Sequence, residues 1–220
     1  MPKEAIIEAC KYIAYEQAVG KTDLSGNDWE SIFAKATGGE SLSKPLGLAD
    51  VIIKDYSYSV KTVKSNSPHT AKSVRIISGR NNVSYSYDIH NPLDNIELSG
   101  KAVLEIFNTR IETAKSVYKD LVHSVLVRSS DLTQFTYFEY EAKPIQSESI
   151  FWKKNTNNNL EGYTPDGEHI YTWQPNGSQF TIIYPIPEDA IRFSLKKPQP
   201  LDVQKVVEEI GYSSSWVEIK

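Results

Sequence analysis

A carboxylate and an ammonium eleven residues apart, Asp50 and Lys61, flank a segment that reads as a β-hairpin. Residues 51–53 form an apolar run, Lys54-Asp55-Tyr56 makes a polar break, and residues 58–63 alternate apolar with polar. With the turn centred on Asp55 and Tyr56, Asp50 lies directly across from Lys61, within side-chain reach. Ser59 shares the face of Lys61, because strand side chains repeat with period two. Such a pair can hold a divalent cation and steady a water beside a phosphate.

The elements that must position this pair follow from periodicity. Residues 5–19 read as an amphipathic helix with Ile6, Cys10 and Ile13 on one stripe, stopped by Gly20. A second helix starts after Ser25 or Asn27 and runs through Trp29, Ile32 and Phe33 to Gly38-Gly39. After the hairpin, residues 73–78 give a third strand and residues 79–95 a loop. Ser99 caps a long helix with Val103, Leu104, Phe107, Ile111, Ala114 and Val117 at helical spacing, and residues 123–128 form a short apolar strand. Beyond it, residues 135–142 alternate, residues 155–159 make a polar turn, and residues 169–173 pair with 179–184 around Pro175-Asn176-Gly177. Residues 190–195 add a strand and 203–210 a closing helix. The expected fold class is mixed α/β: a mostly antiparallel central sheet flanked by helices, with a β-rich C-terminal extension.

At 220 residues the chain reads as a single domain, with a core over 27–128 and the extension over 129–220. Its N-terminus lacks the core of a signal peptide, no apolar run spans a membrane, and a cytoplasmic location is the default. Cys10 is the single cysteine, which excludes an intrachain disulfide and a cysteine metal knuckle. Residues 44–80 carry seven cations and two anions, net +5 against the chain's −4, so the remainder carries −9. That split suits one positive face turned to a polyanion. His69, His90, His123 and His169 are too dispersed for a histidine metal motif. Ser59 lacks a glycine-flanked elbow, and Thr37-Gly38-Gly39 is too short for a phosphate loop.

The order helix, three strands, helix, strand, with an acid opening one strand and Val60-Lys61 on the next, resembles the PD-(D/E)XK nuclease superfamily, and within it a type II restriction endonuclease. The resemblance spans residues 27–128. It implies that Asp50 binds metal and that Lys61 positions the attacking water and steadies the charged phosphorane. The position two before the lysine is usually an acid and here is Ser59; Ala49 stands where a proline is common. The resemblance then implies a displaced acid, from Glu30 on the preceding helix in preference to Glu105 on the long one, with Asp55 assigned to the turn. Catalytic residues would be Asp50, Lys61, Ser59 and Glu30, with magnesium (Mg2+) held by Asp50 and Glu30.

Several side chains can read or grip double-stranded DNA. Arg80 can bond guanine through two hydrogen bonds and Asn81 adenine, while Gly79 lets a phosphate approach. Lys64, Arg75 and Ser78 lie on the same basic stretch, and Gln174 and Gln179 flank an amide-rich hairpin tip. Asn108 and Arg110 are placed to contact phosphates from the long helix. The expectation is a magnesium-dependent, sequence-specific DNA endonuclease leaving 5′-phosphate and 3′-hydroxyl ends. It would act as a homodimer with its seam on the long helix or the first one. A non-catalytic nucleic-acid or protein-interaction module with a lapsed site, or a repair nuclease for RNA or branched DNA, are the alternatives.

Overall fold

Two helices open the chain, and the second starts in a local capping motif. The computed structural model describes residues 1–219. Helix α1 (Lys3–Ala18) buries Ala5, Ile6, Ala9 and Ile13 at helical spacing. Helix α2 (Gly26–Thr37) starts in a capping box: the Asp28 amide donates to Ser25 Oγ at 3.2 Å, and the Ser25 amide donates back to the Asp28 carboxylate at 2.8 Å. Its buried side is Trp29, Ile32 and Phe33.

There follow β1 (Glu40–Leu46), β2 (Ala49–Ile53), β3 (Tyr56–Lys64), β4 (Ser73–Arg80), α3 (Val83–Tyr87), α4 (Ile96–Lys115), β5 (Asp120–Arg128), β6 (Gln134–Glu141), β7 (Phe151–Lys154), β8 (Leu160–Tyr163), β9 (His169–Gln174), β10 (Gln179–Pro185), β11 (Ile191–Ser194) and α5 (Val203–Glu209). The first sheet has the order β1-β2-β3-β5-β6-β11, and the second β4-β10-β9-β8-β7. In the first, β3 and β5 run parallel from Tyr56 opposite Asp120 to Lys64 opposite Arg128, with antiparallel neighbours on either side. The second is antiparallel throughout. The mixed α/β class is as expected.

Helices α1 and α2 cover one face of the first sheet, through Trp29, Phe33, Val51, Val60 and Leu126. The other face meets the second sheet, where Val74 and Ile76 pack on Val125, Val127 and Phe138. Helix α4 lies between the sheets, with Val103, Phe107 and Ile111 buried among Leu121, Trp173 and Phe180.

Four expectations are corrected. Strand β4 does not extend the hairpin's sheet; it pairs with β10. The place beside β3 goes to β5, whose Val125, Leu126 and Val127 are fully buried on both faces, as an interior strand requires, whereas β4 alternates buried with exposed. The second half is therefore no separate extension: β6 and β11 complete the first sheet, and β4 from the first half edges the second. The loop over 79–95 contains α3, capped by Asn82, and α4 is capped by Asn95, while Ser99 lies inside it with its hydroxyl donating to Pro92 O. Helix α4 spends its apolar face in the core. Of the two helices offered as a dimer seam, α1 is the one that exposes large hydrophobic residues beyond a single leucine, Ile7 and Tyr15.

Candidate active site

The β2–β3 hairpin turns through two residues, Lys54 and Asp55, with Lys54 in the left-handed region at φ 54°. The turn is thus one residue earlier than its sequence implied. Ile53 faces Tyr56 and Val51 faces Tyr58, so the register carried one step further puts Asp50 opposite Ser59, with Lys61 on the diagonal. A shift of two partners preserves the face. Lys61 Nζ accordingly donates to Asp50 Oδ2 at 2.8 Å, and the Val60 amide donates to the same oxygen at 2.9 Å. The other carboxylate oxygen, Oδ1, accepts no hydrogen bond from the described residues. Both side chains are mostly buried, at 15% exposure for Asp50 and 21% for Lys61, so solvent screens this pair less than an exposed one.

The pair opens on a cavity of about 480 Å³ bounded by the start of α2, the hairpin and β4. Glu30, Asp50, Lys61, Lys64, Arg75 and Arg110 all line it, four cations against two carboxylates. Burial raises the pKa of Glu30, and the nearby charge of Asp50 raises it further, against opposing help from Lys61 and Ser41. Glu105 turns elsewhere, to the hydroxyl of Tyr87, and does not line the cavity.

Among the described residues no three His, Cys, Asp or Glu side chains converge on a common point. Magnesium needs fewer, since it keeps waters and substrate phosphate oxygens in its octahedron and takes one or two carboxylates from protein. Glu30 and Asp50 fit that demand: they repel across one cavity, and Asp50 Oδ1 is free to ligate.

Ser59 is a correction. It is fully buried, its hydroxyl has no partner among the described residues, and it lies outside the cavity wall. Opposite it stands His123, one of the four histidines dispersed along the chain. His123 is 1% exposed, lies 4.8 Å from the Tyr140 ring, and has no hydrogen-bond partner on either ring nitrogen. Burial first, and the charge of Lys61 second, lower its pKa to about 3. No sequence signal marks it, because its environment comes from three separate elements.

The residues read as DNA contacts divide. Lys64 and Arg75 are exposed at the cavity, and the Arg75 guanidinium donates to Thr172 Oγ1 at 3.1 Å. Ser78 is buried in the cavity wall with its hydroxyl unpartnered. Arg80 faces Gln179, and Gln179 faces Gln174, so Arg80 and a hairpin pair about a hundred residues further on form one row across β4, β10 and β9. Asn81 is a correction: it is fully buried, and its side-chain amide donates to Val103 O at 2.8 Å, so it fastens β4 to α4 and cannot reach a base. Asn108 is likewise spent, bonded to both backbone groups of Ile145.

No helix among the described residues is long and apolar enough to cross a membrane. Set beside protein-family models, curated proteins and solved structures, the chain matches none.

Proposed function

We propose that the chain is a magnesium-dependent endonuclease for double-stranded DNA, of the restriction type that its hairpin resembles. The observation that carries this reading is the Asp50–Lys61 contact of 2.8 Å beside Glu30 in a cavity whose charge is net positive. Glu30 and Asp50 would hold the magnesium ion, which would supply charge neutralisation at the phosphodiester and a polarised water. Lys61 presents its ammonium where negative charge develops on the phosphorane, fixed in place by Asp50 Oδ2. Lys64 and Arg75 grip flanking phosphates, and the row of Arg80, Gln179 and Gln174 meets base edges. In-line attack by water on phosphorus forms one P–O bond and breaks the P–O3′ bond; the water oxygen stays on the 5′-phosphate and a water proton ends on the departing 3′ oxygen as its hydroxyl. Two such chains, each reading one half of a palindromic site, would act as a homodimer.

The second reading, a nucleic-acid-binding module with a lapsed site, is favoured by the burial of Ser59 where an acid would ligate. A supercoiled-plasmid assay separates them. Nicking that requires magnesium and stops with a chelator supports catalysis; plasmid that stays intact over a series of divalent metals, yet is bound, leaves the module.

Glu30→Gln is expected to raise the magnesium concentration for half-maximal nicking at least about tenfold, the equivalent of about 1.4 kcal/mol. Glu105→Gln is expected to match the parent, since that side chain serves Tyr87. Equal metal curves for all three proteins would remove Glu30 from the site.

Arg80→Ala is expected to lose more affinity for a cognate duplex, selected from a randomised pool, than for bulk duplex. A bidentate arginine–guanine contact discriminates by ~1–3 kcal/mol, whereas a phosphate contact weakens all sequences alike. Competition binding at fixed salt reads the ratio; equal losses would make Arg80 a backbone contact.

A further inference from the structure

Arg110, on α4, extends its guanidinium into the gap between the β1–β2 connection and the end of β4. Nη2 donates to Gly47 O at 3.3 Å, and Nη1 to Ser78 O and Asn81 Oδ1 at 3.5 Å each. These are long contacts to neutral oxygens. Among the described residues no carboxylate lies within ion-pair distance, and Asp50, the acid that acts on Arg110 electrostatically, is already bonded to Lys61. Burial lowers the Arg110 pKa, the sign of a charge withdrawn from water without full compensation.

A more deeply buried arginine in the same protein has the carboxylate partner that Arg110 lacks. Arg128, whose side chain is 7% exposed, has Asp23 Oδ1 at 2.6 Å, while its Nε has no hydrogen-bond partner among the described residues. Charges removed from water are normally paired, because the desolvation cost is otherwise unmet. Arg110 instead faces a cavity that holds further cations, and its guanidinium carries five N–H donors on one rigid fork.

The surroundings are shaped for that fork. Gly79, at φ 121°, leaves room that any side-chain carbon would take from the guanidinium. Next to it, Ser78 presents a buried hydroxyl with no partner in the wall of the same cavity. A fixed cation, an unused hydroxyl donor and neighbouring lysines border one cleft.

We infer that Arg110 and Ser78 form a phosphate-binding subsite that takes a backbone phosphodiester of a nucleic acid, a deepening that rests on the nuclease reading for the identity of the ligand. Arg110 supplies two parallel donors to the phosphate oxygens and Ser78 a third, at a point fixed relative to Lys61. Gly79 is a positioning residue, acting through the guanidinium it makes room for.

Calorimetric titration without any metal tests this on the full chain, with the phosphodiester dinucleotide TpT and inorganic phosphate as separate probes. The parent is expected to bind TpT, and Arg110→Lys, Ser78→Ala and Gly79→Ala each to weaken it about tenfold or more while melting as cooperatively as the parent. Arg110→Lys keeps the charge, so its loss reports the fork and not the field. Variants that bind TpT as the parent does would overturn the subsite. Binding of inorganic phosphate with no binding of TpT would overturn the nucleic-acid assignment. Because nothing is cleaved, the outcome is independent of catalysis: a parent that nicks plasmid but shows no Arg110-dependent binding sinks this inference alone, and one that binds TpT but never nicks sinks the nuclease reading.

Discussion

Lys61→Ala is expected to abolish plasmid nicking, with a fall of about a thousandfold or more, equivalent to about 4 kcal/mol on the barrier. The loss should appear in the rate and not in duplex binding, because the ammonium acts on charge that exists only in the transition state. Asp50 keeps its second donor, the Val60 amide at 2.9 Å, so the carboxylate stays in place when the lysine is removed. Single-turnover nicking beside a gel-shift titration reads both quantities. A variant that still cuts within about tenfold of the parent, a change of only about 1.4 kcal/mol, would remove Lys61 from catalysis.

Acid is expected to destabilise the fold through His123. Its folded pKa of about 3 lies below the ordinary 6.5, so the unfolded chain binds the proton more readily across that window. Stability associated with the neutral ring is therefore complete above pH 6.5 and is lost as pH falls toward 3. Between pH 7.5 and 5 the loss from this residue alone is about 2 kcal/mol. His123→Phe keeps an aromatic ring against Phe107 and Tyr140 but has no proton to gain. Urea unfolding at pH 7.5, 6 and 5 should show a steeper decline for the parent than for the variant. Parallel declines would mean that the imidazole finds a partner on protonation.

The legible parts of this protein were those encoded within a few residues. Ser25 with Asp28, and the stripe through Phe107 and Ile111, mark helices because capping and periodicity are local. The pairing of Asp50 with Lys61 was also legible, since a hairpin joins strands that are already neighbours in sequence. The turn was misplaced because Lys54 adopts a backbone conformation that its type seldom favours. What stayed hidden depends on distant partners. Nothing around residue 74 states that β4 joins β10 in preference to β3, and nothing beside Asn81 states that Val103 O will consume its amide. Ser59 read as a site residue because period two gives the face of a side chain but not what covers it. The gathering of Arg80, Gln179 and Gln174 into one row is the same kind of fact, visible only once both strand registers are set.

The pairing of β4 with β10 has a consequence for how the protein comes into being. On a chain emerging from a ribosome, β4 is complete about a hundred residues before the strand that must hold it, from Ser73 opposite Pro185 to Arg80 opposite Gln179. Until then Val74 and Ile76 sit on an unpaired edge, the kind of surface that recruits other chains. Such distant contacts close slowly. The cavity wall carrying Arg75, Ser78 and Gly79 therefore forms among the last features of the molecule. For a protein proposed to cut DNA, that timing is protective: the nascent chain holds Asp50 and Lys61 early but has no finished cleft in which to use them.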